Sequence, residues 1–587
     1  MPDGTDGSRG PAPPREVVVV DRAAGAAEST LRRSLPAILA RVYAARGVAS
    51  PEELELSLDG LLPPEELTGA DSAAHVLADA VRRTRHVKVV GDFDADGATA
   101  TALAVRALTA FGATRVSFLV PNRFEFGYGL TPEIVELASN DAPDVLLTVD
   151  TGVSSIEGVR LAKTLGLDVV ITDHHLPGRE LPAADAIANP NLPGSRFASK
   201  SLAGVGVVFY VMSLVRRKLH EAGWFSASRP APNLSQFLDL VALGTVADVV
   251  PLDRNNRILV QQGLRRIRAG RSTAGIRALC EVAKRPAARL RAQDLAFSLG
   301  PRLNAAGRLD DMTIGIRCLL ADDLAAARSL ATALQELNEA RRAIELRMTG
   351  EAELLVSAMP QNAGDRLGLC VYDPGWHSGV VGIVAGRLRE RHHRPAVAFA
   401  DAGAVAPEEL RGSARSVPGV HIRDVFDALA ARYPGLLVKF GGHAMAAGVS
   451  IRRVHFARFA SAFADEVARW ITADDVRGVI LSDGVLPVAE LVLETAQLLG
   501  DGGPWGQGFP EPVFHGEFDV VLQRLVGERH TRFVLKIADK LVDAIAFDQQ
   551  PMDGVSRVRV VYQIASNDYH DIPTLQLVVK HVMPLQS

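Results

Sequence analysis

Residues 87–97 read VKVVGDFDADG, an apolar run that ends in three acids spaced two apart, Asp92, Asp94 and Asp96. Two further runs end alike: VLLTV (145–149) before Asp150, and VVIT (169–172) before Asp173, His174 and His175. Short apolar runs separated by helix-like stretches predict buried strands of a parallel sheet. Ligands of such sheets bind at the carboxyl ends of the strands. Carboxylates and two imidazoles that are distant in sequence therefore converge there. Packed carboxylates repel one another unless a cation or a proton neutralises them, and a cluster of divalent metal ions is the economical reading.

Outward from these runs the pattern alternates strand and helix from about Ala73 to Leu243. Thr99–Phe111 and Ser155–Leu165 read as helices and Arg115–Val120 as a strand. This βαβα order predicts a doubly wound parallel-sheet α/β domain. Arg-rich helical sequence follows to about Leu320. Leu324–Leu346 carries Leu330, Leu334, Leu337 and Ile344 at helical spacing without Gly or Pro, which predicts a long connecting helix, a semi-rigid strut.

A second, smaller α/β domain begins near Leu367, with strands expected at 369–372 and 396–399, a helix at 379–391 and a glycine-rich loop at 441–448. From Val476 five strand-like runs (518–522, 532–537, 542–547, 556–564 and 574–582) predict a C-terminal β-barrel of OB type. The resulting division is a disordered N-terminus (1–16), an N-terminal extension (17–72), a catalytic domain (73–320), a connecting helix (321–360), the smaller α/β domain (361–470) and the barrel domain (471–587).

The 587 residues exceed one ordinary domain, and 48% hydrophobic content with 5% aromatics points to cores of Ala, Val and Leu. Residues 1–16 are rich in Gly, Pro and Asp and lack the form of a signal peptide. The best membrane candidate, Ser201–Val215, is too short to span and reads as a buried helix. Cys280, Cys318 and Cys370 lack metal-ligand spacing, consistent with a reducing compartment. A cytoplasmic monomer with no membrane association is expected. The net charge of −4 gives no polyanion signal, but Arg257–Arg302 holds eleven basic residues against Glu281 and Asp294. Such a segment is either a nucleic-acid face or a solvated helix surface.

Asp92, Asp94 and Asp96 share a face in extended backbone, and Gly91 and Gly97 allow a tight path. Hard oxygen donors with few imidazoles suit Mg²⁺ or Mn²⁺ better than Zn²⁺. Each piece alone has a plainer reading: GDFDADG as a calcium loop or acidic turn, Asp150 as a helix N-cap, His174 and His175 as a loop pair. A fourth acid, Asp248 in GTVADVVPL, also follows an apolar stretch, Leu238–Val246. Their joint placement after apolar runs favours metal. No Walker-type GxxxxGK[ST] stretch is present, which argues against ATP-driven work.

GDFDADG, the Asp150 strand, Asp-His-His at 173–175 and ADVVPL, in this order, resemble the four motifs of the DHH phosphoesterase superfamily. PNRFEFGYGL (121–130), PRLNAAGRLDD (301–311), GWHSGVVGIVAGRL (375–388), GSARS (412–416) and GGHAMAAG (441–448) are similar to its bacterial single-strand-specific exonuclease branch. One departure is GQGFPEP (506–512), where the resemblance leads us to expect Asn in place of Phe509. The resemblance covers roughly residues 70–587 and implies a DHH catalytic domain, a DHH-associated substrate-binding domain and an OB-fold domain.

The resemblance also implies a two-metal phosphodiester hydrolase acting 5′→3′ on single-stranded DNA and releasing 5′-mononucleotides, in recombination and repair. The cofactors implied are two divalent ions, Mn²⁺ or Mg²⁺. Asp94 would hold one metal and Asp96 with His174 the other; Asp150 and Asp248 would bridge or complete both spheres, and Asp92 would be a ligand or its partner. His175 would contact the scissile phosphate or orient the nucleophile, with Asp173 orienting a histidine. Ser413 and Arg415 are candidates to grip a 5′-phosphate. Arg123, Arg302, Asn304, Arg308, His377 and His443 are further substrate-binding candidates, although Arg302 and Arg308 have an alternative in ion pairs with Asp310 or Asp311. A cleft held by the strut would admit one strand and exclude a duplex, and the acidic barrel would bind DNA weakly or serve for docking. Expected partners, again by resemblance, are a single-strand-binding protein and a helicase. The competing readings are a small-substrate phosphoesterase and a non-catalytic nucleic-acid adaptor.

Overall fold

A computed structural model describes residues 17–585 apart from 24, 123–125, 127–128, 360–366, 404–405, 528 and 568–571. Arg123, the N-terminal segment 1–16 and the barrel residue Tyr569 thus lie outside the described residues. The chain forms two compact units: residues 17–21 with Ala340–Leu481, and Arg22–Glu339 with Ser482–Ser587.

The larger unit is built on a sheet of five parallel strands, β2 (Val87–Gly91), β3 (Val116–Leu119), β4 (Val145–Val149), β5 (Asp168–Thr172) and β6 (Ala186–Ala188), in the order β3-β2-β4-β5-β6. The chain leaves β2 toward β3 on one side and returns to β4 on the other, so the strand order reverses between β2 and β4. That is where ligands of doubly wound sheets bind. Both strands are buried throughout, as their near-continuous Val/Leu sequences require. Lys88, the exception on β2, is buried and ion-paired with Asp141. Strand β6 was not foreseen; three residues at a sheet edge leave almost no periodic signal.

Helices Ala95–Ala110, Gly204–Glu221 and Leu238–Ala247 pack around this sheet. The second corresponds to the expected buried helix at 201–215. The apolar stretch 238–246 forms a helix, Leu238–Ala247, with Asp248 as its C-cap. Nine of its ten residues are buried all round, so no amphipathic stripe marked it. The expected long helix runs from Leu324 to Ser357, 34 residues, and on from one unit into the other.

The smaller unit has a mixed sheet, β7 (Leu369–Tyr372), β8 (Ala396–Asp401), β9 (Glu409–Arg415), β10 (Lys439–Gly442) and β11 (Ala446–Arg452), in the order β10-β11-β9-β8-β7. Only β7 and β8 are parallel; the other neighbours run antiparallel. Residues 441–448, expected as a loop, instead form most of the β10–β11 hairpin, with Gly441 opposite Gly448. Glycine masked the strand pattern there. Phe399, Phe426, Phe459 and Phe463 fill the core of this unit. A separate ribbon pairs β1 (Val17–Asp21) with β12 (Gly478–Ser482).

The C-terminal strands β13 (Phe514–Val526), β14 (His530–Ile537), β15 (Lys540–Ala546), β16 (Arg557–Asn567) and β17 (Thr574–Pro584) close a barrel in the order β13-β14-β15-β17-β16. Phe518, Phe533 and Tyr562 are buried in it, whereas Phe547 is exposed. Phe509, the departure noted above, is also buried: its ring stacks on Trp505 at 5.1 Å and Tyr43 at 6.2 Å. The Arg257 guanidinium lies over the same ring at 4.2 Å. No helix among the described residues is long and apolar enough to cross a membrane.

Candidate metal centre

Both sides of the strand-order reversal carry acid. After β2 the chain turns at Asp92 into the helix Ala95–Ala110, for which Asp94 is the N-cap, its Oδ1 accepting from Asp96 N at 2.9 Å and Gly97 N at 3.0 Å. One carboxylate oxygen of Asp94 thus orders the loop. Gly97 is required because a Cβ there would meet the Asp92 carbonyl at 2.5 Å. Asp96, one residue inside the helix, is 1% exposed and accepts from Gly204 N at 2.7 Å and Val205 N at 3.0 Å. The start of the helix Gly204–Glu221 therefore binds this carboxylate with backbone donors.

Asp150 follows β4 in a left-handed backbone conformation, φ +61°. It is not an N-cap, since the next helix begins at Ile156. Its Oδ1 lies 3.1 Å from His174 Nε2, and Asp248 Oδ2 lies 3.5 Å from the same nitrogen. Asp150 Oδ1 is buried and has no hydrogen-bond partner among the described residues. Donor atoms of Asp92, Asp94 and Asp150 fall within 4.8 Å of one another, as do those of Asp96, His174 and Asp248, and those of Asp150, His174 and His175. The sequence-derived set Asp92, Asp94, Asp96, Asp150, His174 and Asp248 is thus assembled as two donor groups around Asp150 and His174.

Asp173 ends β5 and is nearly fully buried. Its Oδ1 accepts from His175 Nδ1 at 2.8 Å and from the backbone N–H of His174 (2.7 Å) and His175 (3.1 Å); its Oδ2 accepts from Val153 N at 2.9 Å. The histidine it orients is His175, held through Nδ1. The His174 and His175 rings meet edge-on at 4.6 Å. Asn189 and Asn191, which sequence reading missed, donate to the carbonyls of His175 (2.9 Å) and His174 (2.6 Å) and fix both histidines from behind.

The electrostatics call for a cation. Burial, then repulsion from Asp94, pushes the Asp96 carboxyl up to about 7. Burial, then Asp96 and Asp94, raises Asp150 and Asp248 well above the ordinary carboxyl range. Burial alone would lower the His175 imidazole, but the hydrogen bond and charge of Asp173, with Asp92 and Asp94 beyond, raise it to about 9. Burial pushes Asp173 up in turn, and the hydrogen bond and charge of His175 outweigh it, leaving the carboxyl below its usual value. Oxygen donors with one or two imidazoles, an unsatisfied buried oxygen and mutually destabilised carboxylates fit hard divalent ions.

Three glycines that sequence reading passed over make room for this centre. A Cβ on Gly204 would stand 2.5 Å from Asp150 Oδ1, and one on Gly244 2.8 Å from Asp96 Oδ1. A Cβ on Gly307 would stand 1.8 Å from the Phe93 carbonyl, so the helix Gly300–Leu309 lies directly on the Asp92–Asp96 loop. From that helix Asn304 Oδ1 accepts from Ala95 N at 2.8 Å. Arg302 points inward, 6% exposed, its guanidinium donating to Gln335 Oε1 at 2.7 Å and to the Ser298 carbonyl. Arg308 is half-buried on the same helix.

The other candidates belong to the smaller unit. Ser413 and Arg415 lie on β9, with Arg415 Nη1 donating to Ser413 Oγ at 2.9 Å. Burial, then the nearby charge of Arg389, lowers the Arg415 guanidinium below its usual value. A Cβ on Gly382 would stand 2.9 Å from both side chains, so the pair sits against the start of the helix Val381–His392. His377 Nδ1 accepts from Gly379 N at 3.1 Å in the turn before that helix. His443 is at the tip of the β10–β11 hairpin, its N–H bonded to the Ala446 carbonyl at 2.8 Å.

Comparison with known proteins gives a consistent picture. Residues 86–245 match the DHH family N-terminal domain, 356–473 the DHHA1 domain and 482–581 the RecJ OB domain. The chain is 52% identical to the single-stranded-DNA-specific exonuclease RecJ of Dickeya dadantii (strain 3937), over 95% of this chain and 98% of that protein. It is similar to the crystal structure of RecJ in complex with Mn²⁺ from Thermus thermophilus, with a TM-score of 0.79 and 30% identity over 97% of this chain and 79% of that one. The Mg²⁺ complex of RecJ from the same organism superposes with a TM-score of 0.73 and 28% identity over 97% and 78%. A doubly wound sheet with acids at its reversal point, a DHHA1-type second unit and a closed barrel thus coincide with 52% identity over nearly the full length, and the chain belongs to the RecJ family of single-stranded-DNA-specific exonucleases.

Proposed function

We propose that this protein hydrolyses the phosphodiester bonds of single-stranded DNA from the 5′ end and releases 5′-mononucleotides, in DNA recombination and repair. The observation that carries the reading is the pair of donor groups meeting at Asp150 and His174, whose carboxylates are held far from their ordinary ionisation. Asp92, Asp94 and Asp150 hold one divalent ion, Mn²⁺ or Mg²⁺, and Asp96, His174 and Asp248 hold the second. Such ions, when bound, polarise the phosphoryl group and supply a nucleophile at neutral pH.

The chain's own residues do the rest. Asp150, directly after β4, and Asp248, at the end of the helix Leu238–Ala247, anchor the donor groups to the fold. Asp173 keeps a proton on His175 Nδ1, so Nε2 faces the substrate, where it donates to a scissile-phosphate oxygen in the charged form. Asn304 holds the loop through Ala95 N–H, and Arg302, being turned inward, braces Ser298 against the long helix. Ser413 and Arg415 grip a phosphate of the strand, with a hydroxyl and a guanidinium that has no ion pair among the described residues. Arg123, Arg308, His377 and His443 are retained as further substrate contacts. A single-strand-binding protein and a helicase are the proposed partners of a monomer in the cytoplasm, where three buried cysteines outside any disulfide are at home.

The test is degradation of a 3′-labelled single strand carrying a 5′-phosphate, with Mn²⁺, Mg²⁺ or chelator, beside its duplex and a dinucleotide. Metal-dependent loss of the long strand from its 5′ end, absent for the duplex and for Asp150→Asn, is expected. Hydrolysis of the dinucleotide alone would overturn the reading in favour of a small-substrate enzyme.

A further inference from the structure

The helix Gly300–Leu309 lies on the metal loops through one stripe of positions: Gly300 against Ala247, beside Asp248; Asn304 bonded to Ala95 N; and Gly307 against the Phe93 carbonyl. Those positions are four and three apart and share a helix face. One turn earlier the backbone departs from α geometry. Leu295–Leu299 is a π-helical turn, a rare element that recurs at functional sites. In an uninterrupted α-helix Phe297, three residues before Gly300, would continue the inward stripe. The extra residue of a π turn rotates what precedes it by about 100°. The result is visible in exposure: Leu295 and Leu299 are fully buried and Ser298 nearly so, while Phe297 is 74% exposed, the most exposed phenylalanine among the described residues.

Isolated exposed apolar side chains are common, but the surroundings of this ring are specific. It stands one helical turn from the backbone that packs beside Asp248. Two guanidinium groups flank the same turn: Arg285 donates from Nε to Ser298 Oγ at 3.2 Å, and Arg302 donates to the Ser298 carbonyl. The Arg285 side chain remains 52% exposed despite an ion pair with Asp294 at 3.4 Å. The ring also lies within the stretch 257–302, where basic residues outnumber acids eleven to two. Of the two guanidinium groups, Arg302 is turned inward and Arg285 faces solvent, and an exposed ring beside an accessible guanidinium is an arrangement that seats a base and its phosphate on proteins binding single strands.

We propose that Phe297 is a stacking platform for one nucleobase of the strand, set outward by the π turn at the rim of the metal centre. This rests on the single-strand reading above. The ring supplies a flat apolar face without base-specific hydrogen bonds, so it contributes grip and register and no sequence preference.

The experiment uses the full chain with Mn²⁺ and a 3′-labelled 40-mer, comparing wild type with Phe297→Ala, Phe297→Leu and Phe297→Trp. Phe297→Ala is expected to raise KM about tenfold and to shorten the run per encounter in the presence of trap DNA. Mn²⁺ affinity, read by electron paramagnetic resonance of the free ion, stays unchanged. Phe297→Trp restores both DNA measures and Phe297→Leu does not. Moving a single abasic site along the strand identifies one position where wild type loses about as much as Phe297→Ala, and where the variant loses nothing further. Wild-type values for Phe297→Ala, equal rescue by leucine, or a parallel loss of Mn²⁺ affinity would each overturn the proposal. A wild-type chain that leaves the 40-mer intact would instead sink the single-strand reading itself.

Discussion

Gly204 and Asp150 are so close that a Cβ on the glycine would stand 2.5 Å from the carboxylate oxygen and 2.6 Å from the aspartate Cβ. Fifty-four positions apart in sequence, they share one small volume, and the same glycine donates its N–H to Asp96. Gly204→Ala is expected to displace Asp150 while leaving the sheet and the fold in place. A displacement on the order of 1 Å at a reacting centre costs about 100-fold in rate. Nuclease assays together with Mn²⁺ titration check this; unchanged metal affinity in the variant would show that the pocket tolerates the methyl group.

Asp173 accepts four hydrogen bonds and reaches the substrate through His175 alone. Asp173→Asn keeps its shape and removes its charge. A loss of about 10- to 100-fold in activity is expected, together with a fall in the His175 ionisation from about 9 toward the ordinary imidazole value. Histidine proton resonances followed against pH read that shift. An unmoved titration would separate His175 from Asp173.

Stability in chelator has a defined pH sign. Asp96 carries its proton up to about 7 in the folded chain, against 3.8 when unperturbed, and Asp150 and Asp248 are shifted the same way. Between those values the native state binds more protons than the unfolded state, so stability falls as pH rises from about 4 to 7. His175 acts with the same sign: the stability from its raised ionisation is complete below 6.5 and is lost as pH rises through about 9. The melting temperature of the metal-free chain is therefore expected to fall from pH 5 to pH 9. Saturating Mn²⁺ is expected to restore most of it at the alkaline end. A flat profile in chelator would contradict the clustered charge.

Phe509 packs with Trp505, the Arg257 guanidinium and Tyr43. Phe509→Ala is expected to cost about 3–5 kcal/mol of stability, visible as a lower denaturation midpoint. Mn²⁺ affinity at low temperature is expected to remain. Loss of metal binding with normal stability would assign this stack a role at the centre instead.

The strands at the centre were legible because β2, β4 and β5 are buried on both faces and must be nearly continuous Val, Leu and Ile, with the acid following directly. Asp248 was legible as a candidate donor but not as a helix cap: LDLVALGTVA is apolar all round, and neither period 2 nor period 3.6 stands out in such a segment. Gly204, Gly244 and Gly307 were invisible for another reason. What a Cβ would collide with lies across the fold, and no local pattern records it. Arg302 read as a substrate-binding candidate, and its inward turn was not legible because Gln335, which it meets, is 33 residues away on another helix. The hairpin at 439–452 read as a loop because Gly441, Gly442 and Gly448 remove the alternation by which strands are recognised.

The left-handed backbone at Asp150 narrows the choice of a laboratory tool. Asparagine enters that region of φ about as readily as aspartate, whereas alanine is strained there. Asp150→Asn therefore keeps the peptide path and the side-chain volume while deleting one charge. It is the bait of choice for fishing out or crystallising a captive strand, and a null phenotype from alanine at this position would confound lost chemistry with a bent loop.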